Sequence, residues 1–360
     1  MFDVNWCNLH HTPVLEIATA CGLAMTNLIH CCVKPISIIK KTERGLGMTG
    51  LYASLHFLVD GVCAWAMLGW LGSGAAGILV YNFCAFALQL PLGAVLDRLG
   101  GKRMPLYFAA AGCLLTLAGA MIHPALLGLG NALFHVGGGV DVIREDTRRD
   151  RRGQDLGIFV APGAMGLYLG GLLAGKFPWL LLPAAGIMAV LLGFIPGPGE
   201  ISTGPSQKSP ILLGICCFSV VVLRSFVGFQ VVFPWKAGWL AFAATAAVVL
   251  GKMAGGILAA RFGAKNVTLI SLSAAAVCYG LGGIPVFGLL ALLLFNMTMP
   301  LTLYALWRRF PEYPGSCFGA LTLALFLGFL PSFFGLSIPV GGVLGSLISL
   351  ALLWKAVEHD

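Results

Sequence analysis

Five side chains that can carry a charge stand within long apolar stretches of this sequence. They are His56, Asp60, His135, Arg224 and Lys252. Where such a stretch crosses a bilayer, a charge near its middle costs about 2.5–3.5 kcal/mol on insertion scales, so the group normally faces a partner or a wet cavity. Because imidazole and carboxyl groups exchange protons, we expect proton binding to be the chemistry of this set. Lys252 is assigned no role, since it stands near the end of its stretch, where a long side chain reaches the interface.

The spacing of these residues suggests which of them cooperate. His56 and Asp60 are four residues apart, so on a helix they share one face. Burial opposes ionisation of a carboxyl group and a nearby arginine favours it, which makes Asp60 a candidate proton carrier with Arg224 as its partner. The alternative is a static Asp60–Arg224 ion pair that holds two parts of the molecule together. For His135 the alternative is a hydrogen bond to a neighbouring carbonyl group.

The composition decides what kind of chain positions these groups. Of the 360 residues, 58% are apolar and 10% are charged, and the mean hydropathy is +0.92, whereas soluble domains carry about 25% charged residues. We therefore expect the chain to be solvated by lipid. This excludes a soluble enzyme, a nucleic-acid-binding module and a secreted disulfide scaffold. The cysteines form no C-x-x-C pair, so we expect neither disulfides nor a metal site.

Windows of about twenty residues predict twelve membrane-spanning helices, arranged as six, a linker and six. The predicted spans are 50–71, 75–96, 104–122, 125–143, 156–175, 178–196, 211–233, 239–260, 266–282, 284–306, 316–335 and 338–356. We expect an all-α membrane protein with one six-helix bundle at 49–196, a linker at 197–210 and a second bundle at 211–357.

Residues 1–48 form an N-terminal extension whose structure the sequence leaves open. The half-hydrophobic segment 15–33 is followed by a basic stretch at 34–44. The segment fits an additional span that enters from outside, an interfacial helix, or an upstream extension if translation starts at Met48. It does not fit a signal peptide, because its charges follow the apolar run instead of preceding it.

The placement of basic residues predicts the orientation. If the linker is cytoplasmic, the outer loops of the two bundles hold only Lys176 and Lys236. The inner loops then hold Arg98, Lys102, Arg103, Arg144, Arg148, Arg149, Arg151, Arg152, Lys208, Arg261, Lys265, Arg308 and Arg309. By the positive-inside rule, both ends of the twelve-span core lie in the cytoplasm. We expect a multi-pass, monomeric protein of the cell membrane whose net charge of +8 reflects this bias.

An internal repeat relates the two predicted bundles. GAVLDRLGGKR (93–103) follows the second span, and GILAARFGAKN (256–266) follows the eighth, at an offset of 163 residues. The repeat matches Gly93, Arg98, Gly100 and Lys102 with Gly256, Arg261, Gly263 and Lys265. A glycine lets two helices approach closely, and charges at the turn can form pairs that break when rigid bundles move. We therefore expect this loop, with Asp97 pairing to bases of a neighbouring helix end, to act in conformational switching.

The chain resembles the major facilitator superfamily of transporters over residues 49–357. The signature loop of that superfamily reads G-x-L-A-D-R-x-G-R-K, and the loop here matches it at Gly93, Asp97, Arg98, Gly100, Lys102 and Arg103, with Gly101 in place of the arginine. The segments HFLVD (56–60), NALFHVGGG (131–139) and GIFVAPGAMGLYLGG (157–171), with the stretch 300–328, resemble the fosmidomycin-resistance group of drug exporters. His135-Val136 stands where that group has His-Pro.

The resemblance implies two six-helix bundles related by a pseudo-two-fold axis, with the first, fourth, seventh and tenth spans lining a central cavity. Asp60, His135 and Arg224 would meet in that cavity, with His56 beside them. Together, Gln89, Asn131, Phe134, Gln230 and Asn296 fit an uncharged lining of such a cavity. The alternative for each of them alone is a contact that only holds helices together. The fifth-span glycines Gly163, Gly166, Gly170, Gly171 and Gly175 recur at small-residue spacing, which we interpret as a packing seam between the two halves.

These observations favour a secondary active transporter that exports small drug-like or metabolite molecules in exchange for protons, by alternating access. The alternative is a proton-coupled importer of a small organic anion or another metabolite, attracted by Arg224. No H-E-x-x-H, G-x-S-x-G or P-loop motif is present, so we expect no enzyme activity, no cofactor and no nucleic-acid partner. The acids Asp146 and Asp150 are interpreted as part of a solvated charge run.

Overall fold

The computed structural model describes residues 47–72, 74–196, 211–336 and 341–357. Residues 1–46 of the predicted N-terminal extension, and the whole predicted linker, lie outside these described residues. Every regular element within them is helical. Their sequences explain why, since long apolar runs in lipid must satisfy every backbone amide and carbonyl internally, and a helix does so.

Twelve helical segments follow one another in chain order, and each coincides with one predicted span. In the first half they are α1 (Met48–Leu71), α2 (Ala75–Leu99), α3 (Met104–Ile122), α4 (Pro124–Arg148), α5 (Gln154–Leu172) and α6 (Pro178–Gly193). In the second half they are α7 (Ile211–Gln230), α8 (Trp239–Phe262), α9 (Ala264–Gly280), α10 (Pro285–Arg309), α11 (Pro314–Phe333) and α12 (Gly342–Ala356). Within the described residues, nine of these segments are long and apolar enough to cross a membrane, and α6, α9 and α12 are shorter. The expected all-α membrane fold is confirmed.

Several helices change geometry where the sequence demands it. The last turn of α1 (Met67–Leu71) and the middle of α2 (Phe83–Ala87) are π-helical, a local widening that often occurs at functional sites. Helix α5 is interrupted just before Pro162, because proline cannot donate the hydrogen bond that would continue the ladder. Helix α4 extends five residues beyond its predicted end at 143, so it includes two acidic residues, Glu145 and Asp146, that lay outside the predicted span.

The glycines of α5 form a packing seam within the first half, not between the halves as expected. A Cβ on Gly166 would collide with the carbonyl oxygen of Phe57, and a Cβ on Gly170 with that of Gly61, both in α1. Gly175 likewise lies against Gly69. The sequence spacing is correct for close helix packing, but spacing alone does not identify the partner helix.

Two of the closest backbone contacts between the two halves lie at one end of the bundle. We call this the basic end; it is formed by the loops at 100–103, 149–153, 263 and 310–313. There α2 packs against the start of α11, because a Cβ on Gly93 would overlap the carbonyl group of Gly315. Helix α8 packs against the start of α5, where Gly256 lies against the backbone of Gly153 and Gln154. Since Gly93 and Gly256 are equivalent in the repeat, the two contacts are related by the internal symmetry.

The seam between α1 and α5 leads to a stability prediction. Replacing Gly166 with alanine puts a methyl group against a backbone oxygen that cannot rotate away, and such overpacking costs about 1–3 kcal/mol. We expect G166A to lower the thermal unfolding temperature of the purified protein by several degrees. The matched control is G186A in α6, where a Cβ meets nothing within 4 Å. Equal unfolding temperatures for the two variants would contradict the packing described here.

Candidate functional site

A cluster of three ionisable side chains lies between α1 and α4. His56 and Asp60 come from α1, His135 comes from α4, and their exposed fractions are 5%, 8% and 9%. The Nε2 atom of His56 is 3.1 Å from Oδ2 of Asp60, and the Nε2 atom of His135 is 3.7 Å from Oδ1 of the same carboxylate. The i, i+4 spacing on α1 therefore places both groups on the face that packs against α4.

Close helix packing makes room for this cluster. At Gly163 of α5, a Cβ would overlap both the His56 ring and the Asp60 carboxylate, so only glycine fits there without displacing them. Two phenylalanines enclose His56, with ring centroids 5.0 Å away for Phe159 and 6.2 Å away for Phe134. The three groups are thus held in apolar surroundings that strengthen each electrostatic contact.

The backbone fixes how both imidazole rings are oriented. The Nδ1 atom of His56 is 2.7 Å from the carbonyl oxygen of Phe159, and the Nδ1 atom of His135 is 2.8 Å from the carbonyl oxygen of Asn131. A carbonyl oxygen only accepts hydrogen bonds, so each Nδ1 carries its hydrogen and donates it. In the neutral form of each ring, Nε2 then has a lone pair and no hydrogen.

The two Nε2 atoms face each other at 2.8 Å. Two lone pairs at that distance repel, whereas one shared proton makes a charge-assisted hydrogen bond between the rings. A proton, or another cation, placed between His56 and His135 would relieve that repulsion. The carboxylate of Asp60 stands beside both nitrogen atoms and balances that positive charge.

Asn131 holds the carboxylate in place. Its Nδ2 atom donates to Oδ1 of Asp60 at 3.0 Å and lies 3.5 Å from the Sγ atom of Cys63. Asn131 is 2% exposed, so in this structure its side chain positions the carboxylate, and its place in a cavity lining stays a prediction. The signal for this contact was present in the sequence, since Asn131 and His135 are four residues apart on one helix.

Arg224 lies outside this cluster, although it is buried at 8% exposure. The ion-pair partners of Asp60 are the two histidines of its own half, so the structure does not contain the expected Asp60–Arg224 pair. The Nε atom of Arg224 has no hydrogen-bond partner within the ranges that the structure describes. The pairing failed as an inference because equivalent positions in the two halves need not be in contact.

Lys252 has a more central position than the sequence suggested. It does not extend to the interface; its Nζ atom donates to the carbonyl oxygen of Val160 in α5 at 3.3 Å. It interacts electrostatically with Asp60 in one half and with Arg224 in the other. Lys252 is therefore attracted by the Asp60 carboxylate and repelled by the positive charge of Arg224.

The other residues expected to line a cavity are dispersed. Phe134 is fully buried against the cluster, and Gln89 is fully buried where α2 meets α11, donating to the carbonyl oxygen of Ala85. Gln230, at the end of α7, donates to Ser332 and to the carbonyl oxygen of Leu336. Asn296 donates to its own helix at Leu292.

The acid of the 93–103 loop has a different partner from the one expected. Asp97 accepts hydrogen bonds from the backbone amides of Gly315 and Ser316 at 2.8 and 2.7 Å, and from Oγ of Ser316 at 2.7 Å. Its partner is thus the N-terminus of α11, where unpaired amides and the helix dipole favour a negative charge, and not a basic side chain. Arg98, Lys102 and Arg103 are exposed at the same end, as is Arg261, whereas Lys265 lies over the ring of Trp354.

The second copy of the repeat has Ala260 where the first has Asp97. At the equivalent helix start, the amides of Gly153 and Asp155 are bound by Asp146 at 2.8 and 2.9 Å. Asp146 belongs to α4 in the same half and is 1% exposed, so its interpretation as a solvated charge was wrong. One contact between the halves is therefore fastened by a carboxylate, and its symmetry equivalent is not.

Sequence reasoning also missed a buried acid. Asp141 is 3% exposed and accepts a hydrogen bond from the hydroxyl group of Tyr52 at 2.6 Å. It was overlooked because it stands two residues from the predicted end of the fourth span. Tyr52, His56 and Asp60 recur every four residues on α1, so a search for polar groups along that helix face would have found its partner.

Comparisons with known proteins locate this fold. No family model and no curated protein matches the sequence. Among solved structures, the chain is similar to the E. coli fucose:proton symporter FucP, with 13% identity and a TM-score of 0.57, over 86% of this chain and 97% of that one. A second structure, of FucP in the outward conformation, has a TM-score of 0.55.

A third solved structure extends the comparison to human proteins. It is the human organic anion transporter MFSD10 (TETRAN), with 16% identity and a TM-score of 0.54, over 86% of this chain and 97% of that one. At these identities the likeness concerns architecture. The chain therefore has the fold of the major facilitator superfamily transporters.

Proposed function

We propose that this protein is a secondary active transporter that uses alternating access and couples the movement of a small molecule to protons. The observation that carries the proposal is the cluster of His56, Asp60 and His135, in which two Nε2 atoms face each other at 2.8 Å beside a buried carboxylate. Buried ionisable groups of this kind are costly unless they serve a partner or a pathway. The likeness in fold to a proton symporter supports the same assignment.

Opening and closing would occur at the basic end. The halves meet there through Gly93 and Gly315, and Asp97 ties α2 to the start of α11. Separation of the halves at this end breaks three hydrogen bonds to one carboxylate, and these re-form on closure. Tightly packed interfaces of this kind have discrete arrangements and do not deform continuously.

We further propose that the transported molecule is anionic. Arg224 and Lys252 are two positive side chains from the second half, and Arg224 has an unsatisfied Nε within the described ranges. Buried positive charge without a carboxylate partner favours a ligand that brings its own negative charge. A carboxylate or phosphonate group would pair with the fork of the guanidinium.

For the direction of transport we propose export in exchange for protons, on the sequence resemblance to the fosmidomycin-resistance group. The alternative is import of an organic anion together with protons, which the unsatisfied Nε atom of Arg224 favours. The two are separated in proteoliposomes with an imposed pH gradient. Opposite movement of substrate and protons supports export, and parallel movement supports import.

Removing the carboxylate should uncouple transport from protons. In D60N the group that balances the shared proton becomes neutral at nearly the same size, so we expect loss of gradient-driven accumulation with exchange of substrate across the membrane retained. The measurement is uptake of a panel of small organic anions into proteoliposomes loaded with a pH-sensitive dye. The control is D150N, whose carboxylate is exposed. Accumulation against a gradient by D60N would show that Asp60 does not carry the coupling.

Weakening the contact at the basic end should alter switching more than binding. The D97N side chain can still accept from one amide of α11 but loses the charge that the helix terminus favours, typically about 0.3–1 kcal/mol at an exposed site. We expect a several-fold change in transport rate with nearly unchanged substrate affinity, measured by initial uptake rates and equilibrium binding. A large loss of affinity at a normal rate would be inconsistent with a switching role.

The basic end should face the cytoplasm. Its excess of Lys and Arg predicts that orientation, so single cysteines at His123 and at Arg151 should differ in access from outside the cell. In a background without native cysteines, we expect a membrane-impermeant thiol reagent to label H123C in intact cells and R151C only after permeabilisation. The reverse pattern would invert the topology.

A further inference from the structure

We propose that the cluster of His56, Asp60 and His135 is also a binding site for a divalent transition-metal ion of the zinc class. The two Nε2 atoms and a carboxylate oxygen lie within 4.8 Å of one another. Two imidazole nitrogens and one carboxylate oxygen form a donor set that suits Zn²⁺ and Co²⁺, with an open position for a further ligand. The metal site uses the same residues as the proposed proton coupling, but metal binding can be tested independently of transport.

The distances require only a small adjustment. A tetrahedral ion with metal–nitrogen bonds of about 2.0–2.1 Å separates two ligating nitrogens by roughly 3.3 Å. The Nε2 atoms of His56 and His135 are 2.8 Å apart, and the carboxylate oxygens stand 3.1 and 3.7 Å from them. The rings would move apart by about half an ångström, which a small rotation about their side-chain bonds provides.

The surroundings of the two rings are those of metal ligands. A histidine that binds a metal normally donates its other ring N–H to a carbonyl or carboxylate group, which fixes the tautomer and the ring direction. His56 does so to Phe159 and His135 does so to Asn131. Asn131 in turn orients the Asp60 carboxylate through Nδ2. Both Nε2 atoms and a carboxylate oxygen are therefore already oriented by hydrogen bonds and lie within 4.8 Å of one another.

Charge limits the affinity of this site and gives it a recognisable signature. The three ligands contribute one negative charge, so a divalent ion leaves a net charge of +1 beside Lys252. Lys252 interacts with both Asp60 and His135 and therefore opposes the ion. An anionic group in the open coordination position would reduce that repulsion. Removing the lysine charge should accordingly strengthen metal binding.

The test is binding of Co²⁺, and separately Zn²⁺, to the purified full-length protein in detergent. Tetrahedral Co²⁺ absorbs visible light, so a spectrophotometric titration counts sites of that geometry. We expect the wild type to bind one more equivalent in a tetrahedral site than H135Q does. The matched control is H123A, which removes an exposed histidine at the start of α4 and should bind as the wild type does.

Two further variants keep the result interpretable if H135Q folds poorly. N131L leaves all three ligands in place but removes the donor to Asp60, and loss of such outer-shell partners typically lowers metal affinity about 10–100-fold. K252Q should raise the affinity, an effect that a general loss of folding cannot produce. Size-exclusion profiles report whether each variant is folded.

The outcomes separate this inference from the proposed transport function. Equal Co²⁺ stoichiometry and affinity in wild type, H135Q, N131L and K252Q would overturn the metal site, and the proton-coupled function would stand. Site-specific Co²⁺ binding in a protein that accumulates no substrate under a pH gradient would support the metal site and overturn the proton coupling.

Discussion

Contact between helix backbones is the constraint on which this structure depends. In a bilayer the lipid tails are as apolar as the helices, so association relies on close packing and on hydrogen bonds between helices. The chain has 49 glycines in 360 residues, and several stand where a Cβ would meet a neighbouring backbone. Gly166 and Gly170 bring α5 onto α1, while Gly93 and Gly256 join the two halves. Without these approaches, α1, α4 and α5 could not surround one cluster of charged side chains.

The same closeness explains how ionisable groups survive in an apolar bundle. Gly163 leaves just enough space for His56 and Asp60. Two backbone carbonyl oxygens accept hydrogen bonds from the Nδ1 atoms of His56 and His135. The carbonyl of Phe159 is available because α5 is interrupted just before Pro162, where the regular ladder ends. Thus the break in α5 supplies the acceptor that orients His56, and the packing seam supplies the room.

The sequence predicted the fold well because hydropathy and loop charge act locally along the chain. It also predicted that His56 and Asp60 act together, since their spacing on one helix is sufficient. It could not predict partners that depend on the relative placement of helices. Asp97 binds backbone amides, which every residue but proline carries, so no residue type signalled the start of α11 as its partner.

Arg224 shows the limit of symmetry as a guide. Its position in the repeat matches that of Asp60 within one residue, yet the two halves place these groups apart. Asp146 shows the limit of predicted span boundaries, because a helix five residues longer than expected turned a loop acid into a buried one. The fold could thus be predicted from composition, whereas the contacts of the site depend on how individual helices are placed relative to one another.

The absence of an acid at Ala260 has a consequence for the order of events during opening. The α2–α11 contact is reinforced by three hydrogen bonds to Asp97. On the α5–α8 side, Asp146 satisfies the start of α5 from within its own half, so the hydrogen bond from Lys252 to Val160 is the polar contact described between these two helices. With fewer hydrogen bonds between the halves, the α5–α8 contact should separate before the α2–α11 contact. Helix α5 carries the carbonyl oxygens that bind His56 and Lys252. Movement between α5 and α8 would therefore alter the surroundings of these two side chains while α2 and α11 are still in contact.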